Sequence, residues 1–185
     1  MILLMQIPLF QLFPSLYRLI AITGTFLFTG IFPAIPIFMM MSRGQVKDMF
    51  ISRREERTIP YLFSFLAYVF WVLFLWRTLQ FPMEFVIIGI GVVVALICMV
   101  FINLKWKISA HASGMGGLVG CILTVSYFVN INPLGIIILS LLISGLVAIS
   151  RIYLKAHTLM QVLGGFCLGV SCVILSAFIY TLIAY

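Results

Sequence analysis

Two histidines occur in this 185-residue chain, and each stands among a serine and basic residues: Lys107-Ile108-Ser109-Ala110-His111, and Ser150-Arg151, five residues, then His157. An imidazole can attack phosphorus or carry a proton near neutral pH. An arginine fork matches the paired oxygens of a phosphate. Metal-free phosphoryl transfer needs one nucleophile, one general acid for the leaving oxygen, and cations to hold the phosphoryl group. Gln161 lies one helical turn beyond His157, where its carbonyl can accept the imidazole N–H and fix the tautomer, although it adds no charge. A third basic stretch, residues 47–60 (KDMFISRREERTIP), brings Lys47, Arg53, Arg54 and Arg57.

The elements that must position these groups are apolar. The chain is 64% hydrophobic and 8% charged, whereas a soluble domain carries about 25% charged residues. Its apolar residues come in runs of about 20, long enough to cross a bilayer. This composition excludes a water-soluble core and predicts an all-α, polytopic transmembrane bundle forming one domain over residues 1–185. Spans are expected at 19–41, 60–76, 84–104, 109–129, 133–149 and 158–184, after a partial segment at 1–15. Pro33 and Pro36 should kink the first span, and Pro60 suits the first turn of the next. The N-terminal stretch lacks the basic region and small-residue cleavage site of a signal peptide.

Letting the chain alternate sides puts every Lys and Arg except Arg18 and Arg77 on one face, with both histidines. By the positive-inside rule that face is cytoplasmic. The rule leaves unexplained why His111 and His157 share it, each near a helix start, where unpaired backbone N–H groups and the helix dipole favour an anion. The net charge of +7 comes from punctuation between spans rather than from a basic face interleaved with aromatics, so no nucleic-acid partner is expected. Cys98, Cys121, Cys167 and Cys172 all fall inside apolar runs and read as small core residues. Gly114, Gly116, Gly117 and Gly120, like Gly165 and Gly169, read as close helix packing.

These segments resemble the type 2 phosphatidic acid phosphatases. Ser150-Arg151-x5-His157 is similar to that family's third signature, S-R-x5-H-x3-D. Ile108-Ser109-Ala110-His111 resembles the second, P-S-G-H, and Lys47-x6-Arg54 the first, K-x6-R-P. The resemblance implies a six-helix bundle acting on a lipid phosphate or pyrophosphate, with His157 as nucleophile forming a phosphohistidine and His111 as acid. Arg151, Ser109, Lys107, Lys47 and Arg54 or Arg57 would hold phosphate. It implies no metal or cofactor, and as partners only the phosphorylated lipid and membrane lipids. Gln161 stands where the family has aspartate, which is similar to a bacterial branch carrying K-I-S-A-H and S-R-x5-H-x3-Q. Ile108 and Ala110 replace the proline and glycine of the second signature. Glu55 replaces the proline after Arg54, so Arg57 with Pro60 offers a shifted alternative to Arg54. The resemblance implies a multi-pass inner-membrane protein with its site on the outer face, opposite to the charge rule. A relative that keeps the anion pocket without catalysis, as a lipid-phosphate binder or transporter, is the competing expectation.

Overall fold

The computed structural model describes residues 13–45 and 55–184. Six helical stretches are long and apolar enough to cross a membrane, and no strand occurs among the described residues. The chain is therefore a multi-pass, all-α membrane protein. The first stretch joins α1 (Ser15–Phe26) to α2 (Phe32–Ser42) through a π-helical segment, Leu27–Ile31. A 3-10 turn at Glu55–Arg57 leads into α3 (Thr58–Arg77). Then follow α4 (Met83–Asn103), α5 (Ala110–Val129), α6 (Leu134–Tyr153) and α7 (Leu159–Ala184).

The first stretch starts at Ser15, earlier than hydropathy placed it, because Pro14 supplies an N-cap and its carbonyl accepts from Tyr17 and Arg18. Most of the expected 1–15 segment lies outside the described residues. Pro36 lies inside α2, and Pro33 in its first turn directly after the π-helical segment. Pro33 has no N–H, so the carbonyl of Thr29, four residues back, loses its helical donor. The ladder slips to an i−5 bond from Phe32 to the Leu27 carbonyl, and the Tyr68 hydroxyl of α3 donates to the Thr29 carbonyl at 3.2 Å. No water in the bilayer core would otherwise satisfy that oxygen. Tyr68→Phe should therefore cost about 1 kcal/mol, the usual size of an interhelical hydrogen bond in a membrane, read as a shifted midpoint in mixed-micelle unfolding. An unshifted midpoint would show that the π-helical segment needs no outside donor.

Nearby, the absent side chain of Gly24 makes room for the Trp71 ring. Trp71 Nε1 donates to Thr25 Oγ1 at 3.0 Å, and Phe28 stacks on the same indole. This contact seats α1 against α3.

Packing passes from α3 to α4, from α4 to α7, from α7 to α5 and from α5 to α6. The α5–α7 seam is the most extensive, and glycine makes it so. The two helices run parallel from the same membrane face. Gly165 abuts the Ser109 carbonyl, Gly169 the Ser113 carbonyl, and Gly116 the Phe166 carbonyl, so that a Cβ at any of them would overlap backbone. Toward the opposite face the seam opens into a groove of about 410 Å³ lined by residues that include Leu123, Tyr127, Ile174 and Phe178. The close half is the half that carries the polar loops. All four cysteines are free thiols.

Candidate functional site

Among the described residues, both histidines and Arg43, Arg57, Lys105, Lys107, Arg151 and Lys155 occur at one end of the bundle. Three local devices shape that end.

The first is the start of α5. Ser109 has extended backbone and caps the helix: its hydroxyl accepts the Ala112 N–H at 3.4 Å. Ser109 is 0% exposed, and its own N–H donates to the Gln161 backbone carbonyl at 3.2 Å. The residue expected to touch phosphate thus ties α5 to the first turn of α7. His111 follows within the first turn of α5, exposed at the helix N-terminus.

The second is the turn from α6 into α7. The α6 helix continues past residue 149, so Arg151 sits in its last turn rather than in a loop. Ala156 N–H donates to the Arg151 carbonyl at 3.1 Å and Lys155 N–H to the Ile152 carbonyl at 2.9 Å. These paired bonds form a Schellman ending. Its left-handed position, normally glycine, is Lys155 at φ 52°. The chain then doubles back, and the His157 N–H reaches the same Arg151 carbonyl at 3.3 Å. The five-residue spacing between Arg151 and His157 is the length of this turn.

The third is the start of α7. Thr158 precedes the first helical residue, Leu159. The Gln161 N–H donates to Thr158 Oγ1 at 3.4 Å, while the Thr158 N–H donates to Gln161 Oε1 at 3.2 Å. This reciprocal pair is a capping box. Its sequence signal, T-x-x-Q immediately before an apolar run, was present and Thr158 was overlooked. Gln161 Oε1 also lies 3.1 Å from His157 Nδ1.

At His157 these devices meet α3. Arg57, 6% exposed, places Nη1 at 3.5 Å from His157 Nε2 and at 3.4 Å from the Ile108 carbonyl. The Arg57 charge also acts on the Tyr61 hydroxyl, one turn along α3. A circuit closes: Arg57 to Ile108, Ser109 to Gln161, Gln161 to His157, and His157 back to Arg57. Both Arg57 contacts are long for hydrogen bonds, so a phosphoryl oxygen could draw the guanidinium over with little loss.

The field at the site is positive. The Arg57 and Arg151 charges act at His111, and those of Arg57 and Lys107 at His157. Burial of the His157 ring, then the Arg57 charge and more weakly that of Lys107, lower its pKa from 6.5 to about 4. The Gln161 side chain and the Lys107 backbone pull the other way. At neutral pH His157 is therefore an uncharged imidazole.

The structure thus gathers His157, Gln161, Arg57, Lys107, Ser109, His111 and Arg151 at one end. Lys47 and Arg54 lie outside the described residues; among the described residues of the basic first loop, Arg57 stands at His157. No three His, Cys, Asp or Glu side chains among the described residues are grouped to hold a metal ion. No protein-family model, curated protein or solved structure matches this chain, so the site is read from its own geometry.

Proposed function

We propose that this protein is an integral-membrane, metal-independent phosphatase of lipid phosphates or pyrophosphates, related to the type 2 phosphatidic acid phosphatases of the inner membrane. The observation that carries this reading is the His157 ring, held at Nδ1 by Gln161, with Nε2 turned to the Arg57 guanidinium. An unprotonated Nε2 beside a phosphate-matching fork is a nucleophile aimed at phosphorus.

In the proposed reaction Nε2 attacks phosphorus and the P–O bond to the lipid breaks. His111, which the bound phosphate's negative charge favours in its protonated form, gives its proton to the departing oxygen. Water then attacks the phosphohistidine, His111 takes a proton from that water, and the P–N bond breaks to release inorganic phosphate. Arg57, Arg151 and Lys107 neutralise the phosphoryl oxygens throughout. A lipid substrate suits the surroundings: Leu159 and Met160, at the start of α7 beside His157, are 54% and 67% exposed and offer apolar surface for an alkyl chain.

The test is phosphate release by detergent-solubilised protein from phosphatidic acid, phosphatidylglycerol phosphate, prenyl pyrophosphates and lipid A phosphates. Release at the background rate on all four would sink the enzyme reading. One observation favours the binding or transport alternative: Gln161 brings no charge to support a His157 imidazolium. Saturable binding of a lipid phosphate without release would select that alternative. Labelling a cysteine introduced at Lys155 with a membrane-impermeant reagent assigns the face.

Gln161→Glu separates these readings further. Glutamate preserves the capping box and adds a carboxylate to the ring, where an opposite charge raises a histidine pKa by about 1–3 units. Attack needs the neutral ring, so kcat/KM should fall as pH drops through the His157 pKa of about 4. In Gln161→Glu that acid limb should move to higher pH. Turnover at neutral pH should rise by roughly tenfold or more, since a charged partner is worth up to about 10⁴ in the Ser-His-Asp case. An unmoved limb would show that residue 161 does not act on His157.

A further inference from the structure

Gln161 can orient His157 only if its own amide is oriented, and the capping box supplies that. An amide side chain can turn either its oxygen or its NH2 toward the imidazole, and the two choices impose opposite tautomers. The Thr158 N–H is a fixed donor at a helix start, with no acceptor inside the helix. It points at the Gln161 amide from 3.2 Å, so the atom it faces must be the oxygen. The same oxygen stands 3.1 Å from His157 Nδ1, which must then carry the ring hydrogen. Nε2 is left with its lone pair toward Arg57. The Thr158 hydroxyl completes the device by accepting the Gln161 N–H, which holds the first turn of α7 in place beneath the side chain.

We propose that Thr158 is a positioning residue: through the capping box it locks the Gln161 amide and thereby keeps His157 in the Nδ1–H tautomer, with Nε2 unprotonated. The tautomer follows from geometry alone, while its effect on rate rests on the phosphatase reading. Free histidine prefers the opposite, Nε2–H form, so the lock has something to hold against.

The chain has two histidines, which makes the ring directly observable. Full-length protein labelled with ¹⁵N-histidine in detergent micelles at pH 7 gives four ring-nitrogen signals, assigned by comparison with His111→Asn. Wild type should show His157 with a protonated-type Nδ1 and an unprotonated-type Nε2. Thr158→Val keeps the backbone N–H but removes the hydroxyl that holds the first turn of α7 in register with it, and should move both signals part of the way toward the two-tautomer average. Thr158→Ser should keep the wild-type pattern. Unchanged His157 signals in Thr158→Val, or an Nε2–H pattern in wild type, would overturn the proposal.

In phosphate release, Thr158→Val should lower kcat by roughly tenfold, the size of a lost cap expressed as a rate. KM should stay within about twofold, and Thr158→Ser should restore kcat. A fall in kcat that serine does not restore would count against the proposal. If wild type releases no phosphate, the phosphatase reading fails while the nitrogen signals still decide the role of Thr158.

Discussion

His157→Ala is expected to lower phosphate release from a lipid phosphate by about 10⁴-fold or more, with substrate binding largely kept. Alanine removes the Nε2 proposed to attack phosphorus. Losing the nucleophile of a covalent mechanism removes nearly all of the chemical step, leaving only what binding and electrostatic stabilisation contribute. The cations proposed to hold phosphate are on other elements. Arg57 begins at the 3-10 turn before α3, Arg151 ends α6, and Lys107 lies between α4 and α5. KM should therefore change little. His111→Asn should be milder, about 10²- to 10⁴-fold, because it removes proton transfer and leaves the nucleophile. Acid quenching of wild type on a ³²P-labelled substrate should trap acid-labile label that His157→Ala lacks. Label surviving in His157→Ala would place the nucleophile elsewhere.

The second large effect is expected far from any reacting atom. At Gly169 even a methyl group would overlap the Ser113 carbonyl and stand 2.6 Å from the Gly117 nitrogen. Both neighbours are backbone and cannot rotate away. Gly169→Val should therefore force α5 and α7 apart, at the upper end of the roughly 1–3 kcal/mol or more that overpacking costs. The two helices carry His111 and Gln161, and a displacement of about 1 Å at a reactive geometry can cost about 10²-fold in rate. Activity should fall by at least that much in whatever fraction still folds. Gly117→Ala is the matched control, because a Cβ there meets nothing within 4 Å and alanine favours a helix by about 1 kcal/mol. Mixed-micelle unfolding and turnover, measured on both, should separate them. Equal behaviour of the two variants would show that the close seam does not hold the site.

Much of this was legible in the sequence because it depends on local patterns. Apolar runs bounded by charges located six spans to within a few residues. Prolines 33 and 36 announced the irregular first span, and the small residues of α5 and α7 announced a tight seam. The spacing of His157 and Gln161 was enough to pair them. The rest depends on contacts that no local pattern encodes. Missing N–H logic at Pro33 orphans the Thr29 carbonyl, but nothing near it in sequence names Tyr68, 39 residues away, as the donor. The Schellman turn that sets the distance from Arg151 to His157 carries Lys155 where glycine would have flagged it. The family resemblance makes Ser109 a phosphate ligand; only the packing shows it fully buried and holding two helix starts together. Arg57 was one of several arginines in an ion-rich loop until the fold set it against His157.

The Arg57–His157 contact joins residues 100 positions apart, and this has a consequence for biosynthesis. A ribosome adding roughly 5–20 residues per second needs about 5–20 s to pass from one to the other. Within that interval Lys107 is made about halfway through, and Arg151 only six residues before the imidazole. The cluster around His157 is therefore complete only once the segment from Ala156 to Gln161 has been made. A chain stalled before that step carries the three cations without His157 and Gln161, so on the phosphatase reading it has no nucleophile.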